Sequence, residues 1–471
     1  MSRVAIMGGG ITGLAAAHHL EELNPDVEID LFESDIRVGG VLQTEFSGGF
    51  LVEHSADMFT TRERGAIDLC ERIGFADQLL ETNRQHQRAF IAAGSKLVPV
   101  PRGLNLMTPS DLDAIRTTTL LSDDGKRRFL EEEKIPARTG DVDESLKAFA
   151  VRRFGKEAYE KIIQPLVGGI YTADPEKLSL QATLPQYHAM EKESGSIIAA
   201  CRKAAGKGTS VEAKTSGARY NLFLAPRKGM GSLVEALANR LQRTSIRLDS
   251  RVTRVSCNVD GNIANWSLTS QGKVMGSYAA VIATSPASDV AGCLDSRYAG
   301  LKQRLSELRT ASSAIVIHGF DRKQVCHPLD GFGFVVPLSE HRKILASSFS
   351  SIKFSGRCPE ADVLIRSFVG GGCQAELLEH PDDEINEMAL KELQELIGVR
   401  QPSFSRLIRW NDSMPQYHLG HLTRVKQIED EVNGIPGLEL AGKWLRGVGI
   451  PACIESGENA ATRCHDYLVS A

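Results

Sequence analysis

The chain has no excess of basic charge. Its 55 Lys and Arg residues stand against 59 Asp and Glu, giving a net charge of −4, a pI near 6.3 and no long Lys/Arg run, so it lacks the electrostatic footprint of a nucleic-acid-binding protein. No apolar run reaches the length of about 18 residues that a spanning helix requires. The N-terminus enters a strand directly, without the charged and apolar regions of a signal peptide, so a cytoplasmic protein is expected. Cys70, Cys201, Cys257, Cys293, Cys326, Cys358, Cys373, Cys453 and Cys464 are scattered singly and form no CxxC, which reads as a set of reduced thiols. His18-His19 lie on a helix, and His418 and His421 have no acidic partner between them, so no metal centre is expected. The 471 residues suffice for two or three domains around a sizeable core.

What is present is concentrated at the beginning. Val4 to Met7 reads as a buried parallel strand, Gly8-Gly9-Gly10-Ile11-Thr12-Gly13 as a turn, and Leu14 to Leu23 as a helix. This arrangement points backbone N–H groups and a positive helix end at one spot, which suits a pyrophosphate. Gly8 allows the tight turn, Gly10 the close approach of phosphate, and Gly13 the close packing of helix on strand. A second strand, Val27 to Phe32, ends in Glu33, placed to accept hydrogen bonds from a ribose diol. Strand, turn, helix, strand and acid in this order predict a bound adenine dinucleotide. The following pair Gly39-Gly40 lets the chain pass close to a larger cofactor and favours FAD over NAD.

Further along, Leu42 to Val52 predicts a hairpin around Ser47-Gly48-Gly49, and Glu53 to Asp57 a loop returning to the cofactor. Arg88 to Val100 reads as a strand pair turning at Gly94-Ser95. From Thr108 to about Ala205 the pattern is helical, with Ser110 and Asp143 as expected N-caps and a helix broken at Gly168-Gly169. That break is read either as a C-cap or as backbone approaching a ligand. Lys203 to Arg219 reads as a mobile loop, Ile246 to Val255 as one strand, and Asp260-Gly261 as a hairpin turn. Ala279 to Ala283 reads as another buried strand. Short β-rich runs between Ala314 and Trp410 predict an antiparallel sheet, interrupted by a helix over Glu384 to Leu396. Near the end, a Gly-rich loop, Lys443 to Gly449, precedes a helix opened by Pro451, a second positive helix end suited to the pyrimidine side of a flavin.

On these residues the chain resembles the FAD-dependent, oxygen-using protoporphyrinogen oxidases, within the wider monoamine oxidase and phytoene desaturase superfamily. The glycine turn and Gly39-Gly40 are common to the superfamily. Gln164-Pro-Leu-Val-Gly-Gly-Ile-Tyr-Thr-Ala-Asp-Pro-Glu-Lys-Leu-Ser179 and Gly447-Val-Gly-Ile-Pro-Ala-Cys-Ile-Glu-Ser-Gly457 are closer to the porphyrinogen oxidases. The resemblance implies an α/β fold: a discontinuous Rossmann-type FAD-binding domain (1–80, 221–300 and 431–471), an inserted, mainly helical domain with substrate- or membrane-facing residues (81–220) and a mixed-sheet substrate-binding domain (301–430).

It implies FAD contacts at Gly8, Gly9, Gly10, Ile11, Thr12, Gly13, Glu33, Ser34, Gly40, Val41, Ser55, Ala56, Asp57, Val252, Trp410, Val448, Gly449 and Ile450. Arg88 matches an arginine that pairs with a substrate propionate. Gly168 and Gly169 match backbone beside the macrocycle, Gly169 at the reacting side. The expected reaction takes protoporphyrinogen IX to protoporphyrin IX in haem synthesis, a six-electron oxidation with molecular oxygen as acceptor and hydrogen peroxide as product. The alternative substrate is coproporphyrinogen III: Arg88 leans toward the former and the lack of a membrane segment toward the latter. A flavin amine oxidase or polyene desaturase is more distant. Family likeness also leaves room for peripheral attachment to the inner face of the cell membrane, for hand-over of product to the next haem-pathway enzyme, and for a monomer or a homodimer.

Overall fold

A computed structural model describes residues 2–206, 222–260 and 263–470. At its centre five strands run parallel in the order Thr244–Arg247, Glu28–Phe32, Arg3–Met7, Ala280–Ala283 and Leu438–Leu440. The inner strands Arg3–Met7 and Ala280–Ala283 are buried on both faces, which is why they read as nearly continuous apolar runs. Alternation divides them. Val4, Ile6, Ile29 and Leu31 meet the opening helix Ile11–Leu23, the helix Met230–Ala238 and the last helix Ile450–Ser470. Ala5, Met7 and Phe32 meet a three-stranded antiparallel layer, Val252–Asp260, Ile263–Ser270 and Lys273–Tyr278.

The strand expected over Ile246 to Val255 is two strands in two sheets. The chain turns between them at Asp249, where φ is +48°, because Asp249 N–H donates to the Asp35 carbonyl (2.9 Å) and Ser250 N–H to the Glu33 carbonyl (2.7 Å). The path is thereby wrapped around the Glu33 loop.

A second sheet has seven strands in the order Phe404–Pro415, Thr310–Asp321, Asp362–Gly370, Ala346–Phe349, Gly333–Val335, Phe90–Ala93 and Lys96–Pro99. It is antiparallel except where Gly333–Val335 runs parallel to Phe90–Ala93. One face packs on the helix Asp382–Ile397 through Phe90, Val316, Phe334 and Ile365. The other turns Ile315, Ile317 and Leu364 toward Phe50 and Val52 of the hairpin Thr44–Ser47/Phe50–Glu53. The strand pair Phe90–Pro99 thus pairs into this sheet, whereas the sequence division grouped it with the helical insertion.

The insertion gathers Phe129, Leu146, Phe149, Phe154, Ile162 and Val167 into its own core. Its caps differ from the expected ones. Asp111 caps Leu112–Thr117 in place of Ser110, and Ser145 caps Leu146–Phe154 in place of Asp143. Asp143 instead accepts from Ser179 Oγ (2.8 Å) and Gly420 N–H (3.0 Å), tying the insertion to the substrate domain. The expected break at Gly168-Gly169 is not there: helix Gln164–Tyr171 continues through both glycines and ends at Thr172, in the left-handed region, whose N–H returns to the Gly168 carbonyl. The helix runs on from a π-helical stretch, Tyr159–Ile163, in which Gln164 N–H bonds back to the Tyr159 carbonyl, and two glycines weaken a helix without ending it. Residues 203–206 finish the helix Ile197–Gly206. The rest of the loop expected over Lys203 to Arg219 lies outside the described residues, as does Gly261.

Candidate functional site

The glycine turn has the geometry its sequence demands. Gly8 has φ +107°, and its N–H donates to the Phe32 carbonyl at 2.8 Å. A Cβ on Gly13 would lie 1.9 Å from the Gly8 carbonyl oxygen, so only glycine lets the opening helix, which begins with Ile11 and Thr12, leave the strand this closely. Gly10 is the opposite case: a Cβ there would meet no atom within 4 Å, so its backbone faces an open cradle. Across that cradle Gly39 N–H donates to the Gly9 carbonyl (2.8 Å), Arg37 holds the Gly40 carbonyl (2.7 Å), and Val41 follows.

Glu33 is fixed at the end of its strand by Gly9 N–H (2.7 Å), Asp35 N–H (2.8 Å) and Ser34 Oγ (3.2 Å). Val252 lies just beyond Ser250, which is bonded to the Glu33 backbone, and its carbonyl accepts from the Cys293 thiol at 2.9 Å. The last helix presents its N-terminus at Gly449-Ile450. Gly449 is exposed, Val448 packs on the helical insertion, and Cys453 N–H closes the first turn on the Gly449 carbonyl (2.9 Å). The preceding Lys443 is desolvated, which lowers its pKa.

The loop from His54 to Asp57 is held from the substrate sheet. Trp410 Nε1 donates to the His54 carbonyl (2.6 Å), Arg366 donates to the Ser55 carbonyl, and Lys353 Nζ lies 2.6 Å from Asp57 Oδ2. Ser55 Oγ is buried without a partner among the described residues, while Ala56 is exposed. Burial works to raise the Asp57 pKa, but the charges of Lys353 and Arg366 outweigh it and hold the carboxyl well below its ordinary value. Glu53 goes the other way. Burial pushes it up to about 7, against hydrogen bonds from Thr44 Oγ1 and Met230 N–H (both 2.8 Å).

Arg88 and Gly169 are not brought together. Gly169 is exposed at the end of its helix, where a Cβ would lie 3.5 Å from Val335 Cγ1; Gly168 beside it is half-buried. Arg88 sits over the Phe90 ring (5.3 Å), donates through Nε to the Asp330 carbonyl (2.7 Å) and pairs with the Asp330 carboxylate. Phe90 pairs with Phe334, so strand alternation sends Phe90 and Val335 to opposite faces of the sheet. Arg88 thus pairs with Asp330 on the face away from Gly169, whereas the resemblance implies that both lie beside the substrate. Sequence reasoning missed Lys353 and Arg366. The available signal was an arginine inside the apolar strand Val363 to Val369.

These features fit FAD: an open glycine cradle, an oriented carboxylate for the ribose, a Ser55 hydroxyl without a partner among the described residues and the N-terminus of a second helix packed on the first. Among the described residues no helix is long and apolar enough to cross a membrane.

Comparison with known proteins agrees with this geometry. The profile of the family described as "Flavin containing amine oxidoreductase" matches residues 11–465. The coproporphyrinogen III oxidase of Bacillus subtilis (strain 168) is 33% identical over 99% of this chain and 98% of its own length. Protoporphyrinogen oxidase 2, chloroplastic/mitochondrial, of Arabidopsis thaliana is 30% identical over 99% and 94%. A crystal structure from Exiguobacterium sp. 255-15, provisionally named a protoporphyrinogen oxidase, superposes with a TM-score of 0.85 at 31% identity and covers 98% of both chains.

Proposed function

The chain belongs to the flavin containing amine oxidoreductase family and is an FAD-dependent oxidoreductase; from that premise we propose that it oxidises a porphyrinogen to the porphyrin in haem synthesis, with molecular oxygen as acceptor. The observation that carries this reading is the match, over nearly the whole length, to relatives named for porphyrinogen oxidation. Protoporphyrinogen IX and coproporphyrinogen III are both retained as substrates. The resemblance at Arg88, whose guanidinium pairs with Asp330, supports the former. The latter draws support from the bacterial relatives, which are 30 to 33% identical.

Gly8 to Gly13, Glu33, Gly40 and the start of the last helix would hold the cofactor. Bound FAD supplies the hydride-accepting centre and passes electrons on to oxygen. The protein's own work is binding and orientation. The exposed end of the helix Gln164–Tyr171 lies against Val335, and Ile170 there is 46% exposed, which gives an apolar macrocycle an apolar edge to rest on. The two positive helix ends and the buried Lys353 and Arg366 favour negative charge in the site without a solvent rearrangement.

The test is anaerobic mixing of the purified yellow protein with each porphyrinogen, followed by admission of oxygen while flavin absorbance, porphyrin fluorescence and peroxide are read. Bleaching, then peroxide on reoxidation, is expected with at least one of them, and the faster one is the substrate. No bleaching by either would overturn the proposal and direct attention to amines and polyenes.

A further inference from the structure

Five ionisable side chains are buried together behind the loop from His54 to Asp57: Glu53, Asp57, Lys353, Arg357 and Arg366, none more than 7% exposed. Asp57 takes Lys353 Nζ at 2.6 Å and Arg366 at 3.2 Å. Arg357 spends its donors on the Pro226 and Arg227 carbonyls, both at 2.9 Å, and so keeps its charge uncompensated by a direct partner. Three cations thus face two carboxylates, one of which, Glu53, is pushed toward its neutral form by burial. The cluster carries net positive charge in a place with little water to screen it, and buried charge of one sign calls for charge of the other. Hydrogen-bonding capacity is also left over: Arg366 Nε, Ser55 Oγ and Ser348 Oγ are buried without partners among the described residues, and Ser348 lies opposite Arg366 in the sheet register.

We propose that Lys353, Asp57 and Arg366 form a positioning element for the flavin reaction, fastening the loop that carries Ser55 to the substrate sheet and placing net positive charge behind it. Two-electron reduction leaves a flavin with negative charge on its pyrimidine ring, and a positive field held nearby makes that reduction easier. The inference rests on the reading of the chain as a flavin oxidase. It adds that Lys353 and Arg366, outside the contact set implied by the resemblance, govern the potential.

The test is the midpoint potential of the holoenzyme, equilibrated anaerobically with a dye of known potential, for wild type, Lys353→Met, Lys353→Arg and Asp57→Asn. Removing a cation should lower the ratio of reduced to oxidised flavin at fixed potential at least tenfold, a shift of about 30 mV for a two-electron couple. Removing the anion should raise that ratio. Lys353→Arg, which keeps the charge, should leave it within threefold. A merely structural role would move the Met and Asn variants the same way, or move neither while the flavin stays bound, and either result overturns the inference. If one of the two does not accumulate, the sign of the other decides. A wild type that holds no flavin would instead refute the oxidase reading itself.

Discussion

Gly457 in the last helix lies so close to Thr12 that a β-carbon on it would fall 2.2 Å from the Thr12 carbonyl oxygen. The last helix is pressed onto the first, so that the two pack side by side next to the glycine turn.

Gly457→Ala is therefore expected to destabilise the protein and reduce flavin content. Alanine would gain roughly 1 kcal/mol in helix propensity, but overpacking against a rigid carbonyl costs about 1–3 kcal/mol or more, so the clash wins. Differential scanning fluorimetry and the ratio of flavin to protein absorbance check this. An unchanged melting temperature with full flavin would contradict it.

Arg88→Ala should leave the Michaelis constant for a porphyrinogen within about twofold and cost about 0–1 kcal/mol of stability, as expected for a partly exposed ion pair. A tenfold rise would show that Arg88 reaches substrate after all.

Glu53 gives a pH dependence of definite sign. Its folded pKa, about 7, lies above the ordinary 4.5, so its contribution to folding is complete below about pH 4.5 and is lost as the pH rises through 7. Relative to wild type, Glu53→Gln should therefore become more stable at pH 8 than at pH 5, by on the order of 2–3 kcal/mol. Urea denaturation of both proteins at the two pH values decides it, and equal differences would refute the assignment.

In the helical insertion Arg153 and Glu132 are wholly buried and bonded at 2.6 Å, and the same carboxylate accepts from the N–H groups of Ile197 (3.0 Å) and Ile198 (3.1 Å). Arg153→Ala strands that carboxylate and should cost about 3–5 kcal/mol. Loss of less than 1 kcal/mol in denaturant titrations would show that the pair contributes little.

Residues close in sequence were legible. Strand, glycine turn, helix and Glu33 follow one another within 33 positions, so local rules identified the cradle and its acid. The substrate sheet was legible from its alternating runs, but the membership of Phe90–Pro99 was not, because its partner Gly333–Val335 carries no local mark of that pairing. Caps were misplaced by one or two residues, since Ser110 and Asp111 offer equivalent oxygens and only the turn geometry chooses between them. The charge cluster needs three distant segments at once, with Lys353 joined to Asp57 across 296 positions, and no periodicity announces such a meeting.

The parallel pairing of Phe90–Ala93 with Gly333–Val335 also sets a timetable for synthesis. A ribosome adding about 5–20 residues per second reaches the partner strand roughly 240 residues later, some 12–50 seconds after Phe90–Ala93 has been made. Arg3–Met7 waits still longer for Ala280–Ala283. The nascent chain must spend that interval with sticky, unpaired strand edges, so production of this protein should be unusually sensitive to chaperone supply and to the speed of translation.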